Sequence, residues 1–311
     1  MKLSFVDGHC DTLVKAYDGH KALLENDLHI DLTRLKQYNA PVQFFAMWLD
    51  KKYYPEAYDK TNRIIDFFET EIHNNSDIIS VALNYNDILK NKTDGKISAV
   101  LAIEGGEAVE GSLDKLEKLY KRGVRAMTLT WNYSNAIADG AGVENPSGLT
   151  AFGRQCVEKM NELGMLVDVS HLADKGFWDV YETSRVPFIA THSNSRTICG
   201  AKRNLTDEQI KALAEKGGVT GLNLYSKFIV EGGKGTFDDI LRHIGHIINV
   251  GGEDVLGLGC DLDGIDIAPE GIDGVQSLEQ LLTLTADRFG ERIAEKIAEM
   301  NFLRVIKEVL K

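Results

Sequence analysis

The chain of 311 residues contains few prolines and few cysteines, and it has no long apolar segment. With five prolines and no Ser-, Gly- or Pro-rich stretch, it offers no candidate linker between domains. No apolar run approaches the roughly 18 residues that a membrane-spanning helix needs, so we predict no membrane partner. The four cysteines are far apart and form no Cys-x-x-Cys pair, which predicts free thiols.

Acidic residues outnumber basic ones in this sequence, 47 to 35. The formal net charge is −12 and no basic block occurs, so nucleic acid is not an expected partner. The apolar part of the N-terminal segment is broken within a few residues, unlike a signal peptide, and the charged C-terminal segment is unlike a lipid-anchor signal. These features predict a cytoplasmic protein.

Eight short apolar runs, rich in β-branched residues, recur along the chain. Nearly continuous apolar runs of this length are typical of strands that are buried on both faces of a parallel sheet. The predicted strands are residues 3–6, 42–48, 97–103, 125–130, 165–170, 186–191, 219–224 and 255–260.

Amphipathic stretches separate these strands, and they predict helices at 111–123, 149–164, 205–218 and 236–252. The third begins with a capping-box pattern at Thr206. Strands that alternate with helices in an unbroken chain indicate a (β/α)8 TIM-type barrel, with residues 1–311 as one catalytic domain. A doubly wound open sheet is the alternative, but it predicts a Gly-rich phosphate loop after the first strand. The sequence there is Asp-Gly-His-Cys-Asp.

Metal-binding or proton-transferring residues follow five of the predicted strands. In such a barrel the active site forms at the carboxyl ends of the strands. Each residue alone has an ordinary structural explanation, but three of the eight histidines fall at strand ends together with several carboxylates. These residues are His9, Asp11, Glu104, His171, His192, Asp261 and Asp263. Their coincidence predicts a metal site.

Three imidazoles and two carboxylates form a donor set that suits zinc. One ion needs three or four protein ligands, so five candidates suggest two Zn²⁺ ions that share a carboxylate. We expect His9 and Asp11 to bind the first ion, His171 and His192 to bind the second, and Glu104 to bridge them. Such a pair lowers the pKa of a bridging water and produces a hydroxide nucleophile.

Asp261 remains outside this ligand set. A carboxylate in that position can take the proton of the attacking water and pass it to a leaving amine. The glycines after Glu104 let the backbone and a substrate approach the site closely.

Motifs along the whole chain resemble those of the membrane (renal) dipeptidases, zinc enzymes with an amidohydrolase-like barrel. The similar segments are "DGHCDT", "IEGGE", "DVSHLADKGFWDV", "THSNSRTICGAKRNLTDEQI", "GLGCDLDGI" and "EMNFLRV". The resemblance implies the same ligand roles for His9, Asp11, Glu104, His171 and His192, with Asp261 as the proton shuttle.

The resemblance further implies that Arg203 binds the terminal carboxylate of a dipeptide. A guanidinium group suits this role, because it can hold a carboxylate by two parallel hydrogen bonds. The expected reaction is hydrolysis of a dipeptide, including one with a D-residue at its C-terminal position. Dimers are common among members of the family, so a homodimer is a further expectation.

Two positions depart from the pattern of the animal members of the family. Trp131 stands where those members have a histidine, and Asn132 after it is our candidate donor to the substrate's oxyanion. The family's Glu-Gly-Gly-His is here Glu-Gly-Gly-Glu, ending at Glu107. Both changes bear on substrate preference.

Two other functions fit the same residues. A barrel metallohydrolase for another amide, such as an N-acyl-D-amino acid or a cyclic amide, would share the metals but not the carboxylate anchor. A catalytically degenerate binding protein would show no metal-dependent turnover.

Overall fold

The computed structural model describes residues 3–311, and its centre is a parallel sheet of nine strands. They are β1 (Val6–Asp7), β2 (Val42–Trp48), β3 (Ile79–Val81), β4 (Ile97–Glu104), β5 (Val124–Thr128), β6 (Leu166–Asp168), β7 (Ile189–Ala190), β8 (Val219–Leu222) and β9 (Leu256–Leu258).

Eight of these strands close into a ring. β1 pairs with both β2 and β9, β2 pairs with β4, and each later strand pairs with the next along the chain. The ninth strand, β3, pairs only with the beginning of β4, from Ile79 opposite Ile97 to Val81 opposite Ala99. The predicted (β/α)8 barrel is therefore confirmed, and β3 is a short addition that the sequence reading missed.

Thirteen α-helices surround or close the barrel in the described part of the chain. They are α1 (Thr12–Gly19), α2 (Leu32–Leu35), α3 (Ala57–Asn74), α4 (Tyr85–Thr93), α5 (Leu113–Lys121), α6 (Ala151–Leu163), α7 (Asp174–Thr183), α8 (Asp207–Glu215), α9 (Ser226–Ile229), α10 (Phe237–Gly251), α11 (Leu278–Phe289), α12 (Glu291–Glu295) and α13 (Asn301–Val309). Short 3-10 turns cover Lys51–Glu56, Gly106–Val109 and Val275–Ser277, and a π-helical turn covers Lys296–Met300.

The four predicted helices correspond to α5, α6, α8 and α10, each slightly shorter than expected. The capping box at the start of α8 is present: Thr206 accepts from the backbone of Gln209, whose side chain accepts from the backbone of Thr206. Several strands also end earlier than predicted. After β6, for example, the backbone N–H of Ser170 donates to the side chain of Asp168 and not to a neighbouring strand.

Alternate residues of the strands face two different parts of the core. Val42 and Phe44 of β2 point into the barrel, and Phe45 and Met47 point outward to the helices. The inward set on β4 includes Val100 and Ala102, and continuing the same alternation brings Glu104 to the inside of the barrel's carboxyl end.

Helix α13 closes the opposite, amino end of the barrel. Its apolar face places Phe302 and Val305 against inward-facing side chains at the starts of the strands. The Phe302 ring fills space beside Gly8 and Gly257, where a Cβ on either residue would collide with the ring. Gly8 directly precedes His9, so the Phe302 ring packs against the backbone that carries His9.

No helix in residues 3–311 is both long enough and apolar enough to cross a membrane.

We expect Phe302→Ala to lower the free energy of unfolding by about 3–5 kcal/mol, because it removes a buried ring and leaves a cavity in the barrel interior. Urea unfolding followed by circular dichroism measures this change. Met300→Ala, two residues earlier at a side chain that is 51% exposed, is the matched control. Equal losses in the two variants would contradict a supporting role for the Phe302 ring.

Candidate metal centre

The five predicted ligands lie together at the carboxyl end of the barrel. His9 and Asp11 follow β1, Glu104 ends β4, His171 lies beyond β6, and His192 lies beyond β7. All five are buried. Parallel strands bring distant parts of the chain to the same rim, which is why these residues meet.

Glu104 lies at the centre of the cluster, and its two carboxylate oxygens face different groups. Oε1 is 2.8 Å from His171 Nε2 and 3.7 Å from His192 Nε2. Oε2 is 3.5 Å from His9 Nε2. The two oxygens of Glu104 therefore contact different histidines.

His9 faces the other carboxylates of the site. Its Nε2 is 3.4 Å from Asp11 Oδ2 and 3.8 Å from Asp261 Oδ1, and it has no hydrogen-bond partner although it is buried. The candidate ligand atoms of His9, Asp11 and Asp261 lie within 4.8 Å of one another, as do those of His9, Glu104 and His192. A buried nitrogen without a partner, close to several oxygens, is an environment that a cation would complete.

The two remaining imidazoles are oriented from behind, through their Nδ1 atoms. His171 Nδ1 is 2.9 Å from Asn132 Oδ1, and His192 Nδ1 is 2.8 Å from Thr191 Oγ1. An amide oxygen only accepts, so His171 carries its proton on Nδ1. The Nε2 atoms of the two rings then face each other at 3.0 Å.

Burial disfavours the protonated, charged form of both imidazole rings. It lowers the pKa of His171 to about 4, assisted by the charge of Arg203, and it lowers the pKa of His192 well below its ordinary value. Burial alone would raise the pKa of Glu104, but His9 and His171 outweigh it and lower that pKa. Both rings are therefore neutral at neutral pH, and their Nε2 atoms converge with an ionised carboxylate. These residues fit a divalent cation, which accepts nitrogen and oxygen donors together.

Asp261 lies beside this cluster, on the side of His9. Its Oδ2 accepts a hydrogen bond from Asn223 Nδ2 at 2.9 Å, which leaves Oδ1 facing His9. Burial raises the pKa of Asp261 to about 7; His9 opposes this, and the nearby carboxylates of Asp11 and Glu104 add to it. Gly264 packs against both Asp11 and Asp261, and a Cβ there would collide with their carboxylates.

Three residues at the rim adopt left-handed backbone conformations that non-glycine residues rarely occupy. The φ angles are 65° at His171, 58° at Asp261 and 69° at Asp263. Such strain persists only where the surrounding structure enforces it, and it is concentrated at functional sites. Asp263 itself points away from the cluster, where it accepts hydrogen bonds from Thr12 and from the backbone of His29.

Arg203 is buried on the β7–β8 side of the rim. Its Nη1 donates to Ser193 Oγ at 3.4 Å and its Nη2 to the backbone oxygen of His192 at 3.3 Å, but its buried Nε has no partner. Burial lowers the pKa of Arg203 to about 10, while the carboxylates of Asp261 and Glu104 favour its charged form. A buried guanidinium with an unused donor is suited to binding an anionic ligand.

Aromatic side chains line the opposite, β2–β5 side of the rim. The Trp131 ring lies 5.2 Å from the rings of both Trp48 and Tyr133, and 6.1 Å from His171. Glu107 lies above Gly105, next to this group, and one of its buried oxygens has no partner.

The structure also shows supporting residues that sequence reasoning missed. Asp168, Thr191 and Asn223 are completely or almost completely buried behind the candidate ligands. Asp168 was visible in the segment "VDVSH", but only its contacts distinguish it from an ordinary strand residue. Asn223 carried no signal in the sequence.

Two known proteins are similar to this chain in sequence. A relative from Klebsiella pneumoniae, an uncharacterised protein encoded in the pqqA 5′ region, is 36% identical over 242 residues, covering 74% of this chain and 89% of the relative. An uncharacterised dipeptidase of Schizosaccharomyces pombe is 34% identical over 306 residues, covering 91% of this chain and 73% of the relative.

Solved structures of metallopeptidases have the same fold. A metallopeptidase from Rhodobacter sphaeroides, solved with a bound phosphinate mimic of the dipeptide L-Ala-D-Ala, superimposes with a TM-score of 0.91 at 25% identity, covering 99% of this chain and 100% of that chain. A dipeptidase of peptidase family M19 superimposes with a TM-score of 0.91 at 27% identity, covering 100% and 99%.

The model of the membrane dipeptidase family matches residues 1–311. With this match and the similarity to solved metallopeptidases, the chain belongs to the membrane dipeptidase family, peptidase family M19, and is a metallodipeptidase.

Proposed function

We propose that this chain hydrolyses dipeptides with a free C-terminal carboxylate, using two divalent metal ions. We propose zinc as the metal. The observation that carries the proposal is the convergence of His9, Glu104, His171 and His192 on one buried point of the rim. The complex of the R. sphaeroides relative with a mimic of L-Ala-D-Ala supports dipeptides with a D-residue at the C-terminal position as substrates.

His9 and Asp11 would hold one ion, His171 and His192 would hold the other, and Glu104 would bridge. The contacts of the two Glu104 oxygens with different histidines support this division. When bound, such a pair of ions polarises the scissile carbonyl and lowers the pKa of water to near neutrality.

Arg203 binds the terminal carboxylate of the dipeptide in this proposal. Its guanidinium is buried close to the cluster, and its Nε is free of protein partners. Because the site is shielded from water, an ion pair there is stronger than on the surface, and it fixes the scissile bond at a constant distance from the rim.

Asp261 moves the proton that hydrolysis requires. Its Oδ1 takes a proton from the attacking water and then gives it to the nitrogen of the scissile bond, which leaves as an amine when the C–N bond breaks. Asn223 holds Oδ2 and thereby directs Oδ1 toward His9. Asn132 uses its side-chain oxygen to orient His171, and its amide nitrogen is our candidate donor to the oxyanion of the substrate.

Three further expectations stay predictions: one catalytic domain over residues 1–311, a cytoplasmic location and a homodimer. The location is supported by the four cysteines, all of which are buried and unpaired.

Removal of metal with a chelator should abolish dipeptide hydrolysis, and added zinc should restore it, because the donor cluster provides no other Lewis acid. Glu104→Gln should lower the zinc content of the purified protein, and it should lower kcat/KM by more than about 100-fold. The reason is that it removes a proposed ligand and not merely a supporting contact. Elemental analysis and a dipeptide assay measure the two effects.

Glu110→Gln, at an exposed glutamate on the turn after β4, is the control for Glu104. Chelator-resistant turnover would exclude the metal mechanism, and zinc binding without turnover of any dipeptide would favour a binding protein.

Arg203→Ala should raise KM for free dipeptides by about 30-fold or more, while amides without a terminal carboxylate are affected little, because one partner of a buried charge pair is lost. Steady-state kinetics with matched free and amidated substrates test this. The control is Arg196→Ala, in the same segment but paired with Asp174 at the surface. An equal loss for both substrate types would favour an enzyme for another amide.

Asp261→Asn should lower kcat by about 10²–10⁴-fold with little change in KM, because an amide of the same shape cannot carry the proton. Pre-steady-state and steady-state kinetics should place the loss in the chemical step, with zinc content retained. Asp266→Asn changes an exposed carboxylate on the same loop and serves as the control. Loss of zinc from the Asp261 variant would identify it as a ligand instead.

A further inference from the structure

A buried hydrogen-bonded chain runs from Asp168 through Thr191 to His192. Asp168 ends β6 and is completely inaccessible to solvent. Thr191 and His192 are consecutive residues after β7. The chain therefore connects two neighbouring strands directly behind one of the candidate ligands.

The carboxylate of Asp168 accepts four hydrogen bonds. Its Oδ1 accepts from the backbone N–H groups of Ser170 and Thr191, both at 2.9 Å. Its Oδ2 accepts from the hydroxyl groups of Thr128 and Thr191, both at 2.5 Å. These four donors fill the acceptor sites of the carboxylate, so Asp168 only accepts in this network.

The hydroxyl of Thr191 has one proton, and Asp168 receives it. The oxygen of that hydroxyl lies 2.8 Å from His192 Nδ1 and 3.4 Å from Ser170 Oγ. With its proton already committed, the oxygen can only accept from His192, so Nδ1 of His192 must carry a hydrogen. The lone pair of the neutral ring then lies on Nε2, which faces His171 and Glu104.

We propose that Thr191 and Asp168 are positioning residues that fix the tautomer and ring orientation of His192 for metal binding. This inference rests on the proposed function, since it assumes that His192 binds an ion. Without the Thr191 oxygen, the His192 ring would be free to place its hydrogen on Nε2 and so lose the lone pair that a metal needs.

The sequence supplies a matched pair of variants for the test. Thr128 and Thr191 are both buried threonines that donate to Asp168 Oδ2 at the same distance, but only Thr191 contacts His192. Valine has the shape of threonine without the hydroxyl. Thr128→Val and Thr191→Val therefore remove the same bond to Asp168, and only the second removes the contact with the imidazole.

Zinc affinity is measured by titrating metal-free protein in the presence of a competing chelator. We expect Thr191→Val to weaken one of two zinc-binding steps by about 10–100-fold, as is typical when a group that supports a metal-bound histidine is lost. Thr128→Val should leave both steps unchanged while the two variants lose similar thermal stability, and Thr191→Ser, which keeps the hydroxyl, should bind zinc like the wild type. Equal zinc affinities of the two valine variants would overturn the inference.

A second measurement uses only the wild-type protein, so it does not depend on whether a variant folds. Nitrogen-15 NMR of histidine-labelled, metal-free wild-type protein reports which ring nitrogen of His192 carries the hydrogen. A hydrogen on Nδ1 supports the proposal, and a hydrogen on Nε2 overturns it. Wild-type protein that binds no zinc at all would instead contradict the proposed function, so the two failures are distinguishable.

Discussion

The structure depends on one electrostatic constraint: two neutral imidazoles and a carboxylate meet in one buried pocket. His171 and His192 direct Nε2 atoms at each other at 3.0 Å, and Glu104 lies against both. In water such groups would repel or take up protons, but burial lowers the pKa of both rings. The fold holds this arrangement through contacts behind the rings, from Asn132 to His171 and from Thr191 to His192.

Much of this arrangement could be predicted from the sequence because the barrel has a simple rule of position. Apolar runs locate the strands, and whatever follows a run lies at the common rim. Glu104, His171 and His192 each directly follow such a run, so their convergence could be predicted without knowledge of side-chain contacts. The closed ring of eight strands followed from the same alternation.

The remaining features depend on contacts that no local pattern encodes. β3 has only three residues and pairs with one end of β4, so its apolar run is too short to indicate a strand from the sequence. The role proposed for Thr191 depends on its hydroxyl, which donates to Asp168 Oδ2 and contacts His192 Nδ1. The left-handed conformation of Asp261 is imposed by its neighbours, since aspartate has no strong preference for it. Sequence patterns report burial and spacing, but not the direction in which a proton points.

The short strand β1 is held to both of its neighbours by one buried carboxylate. Asp7 accepts a hydrogen bond from Gln43 of β2 through Oδ2 and another from the backbone N–H of Cys260, just beyond β9, through Oδ1. Burial raises the pKa of Asp7, so its charge is tolerated only while these donors are in place. During synthesis on the ribosome, the second donor emerges some 250 residues after Asp7 itself. The ring can therefore be sealed only after Cys260 has been synthesised, and the seam between β1 and β9 stays open until that point.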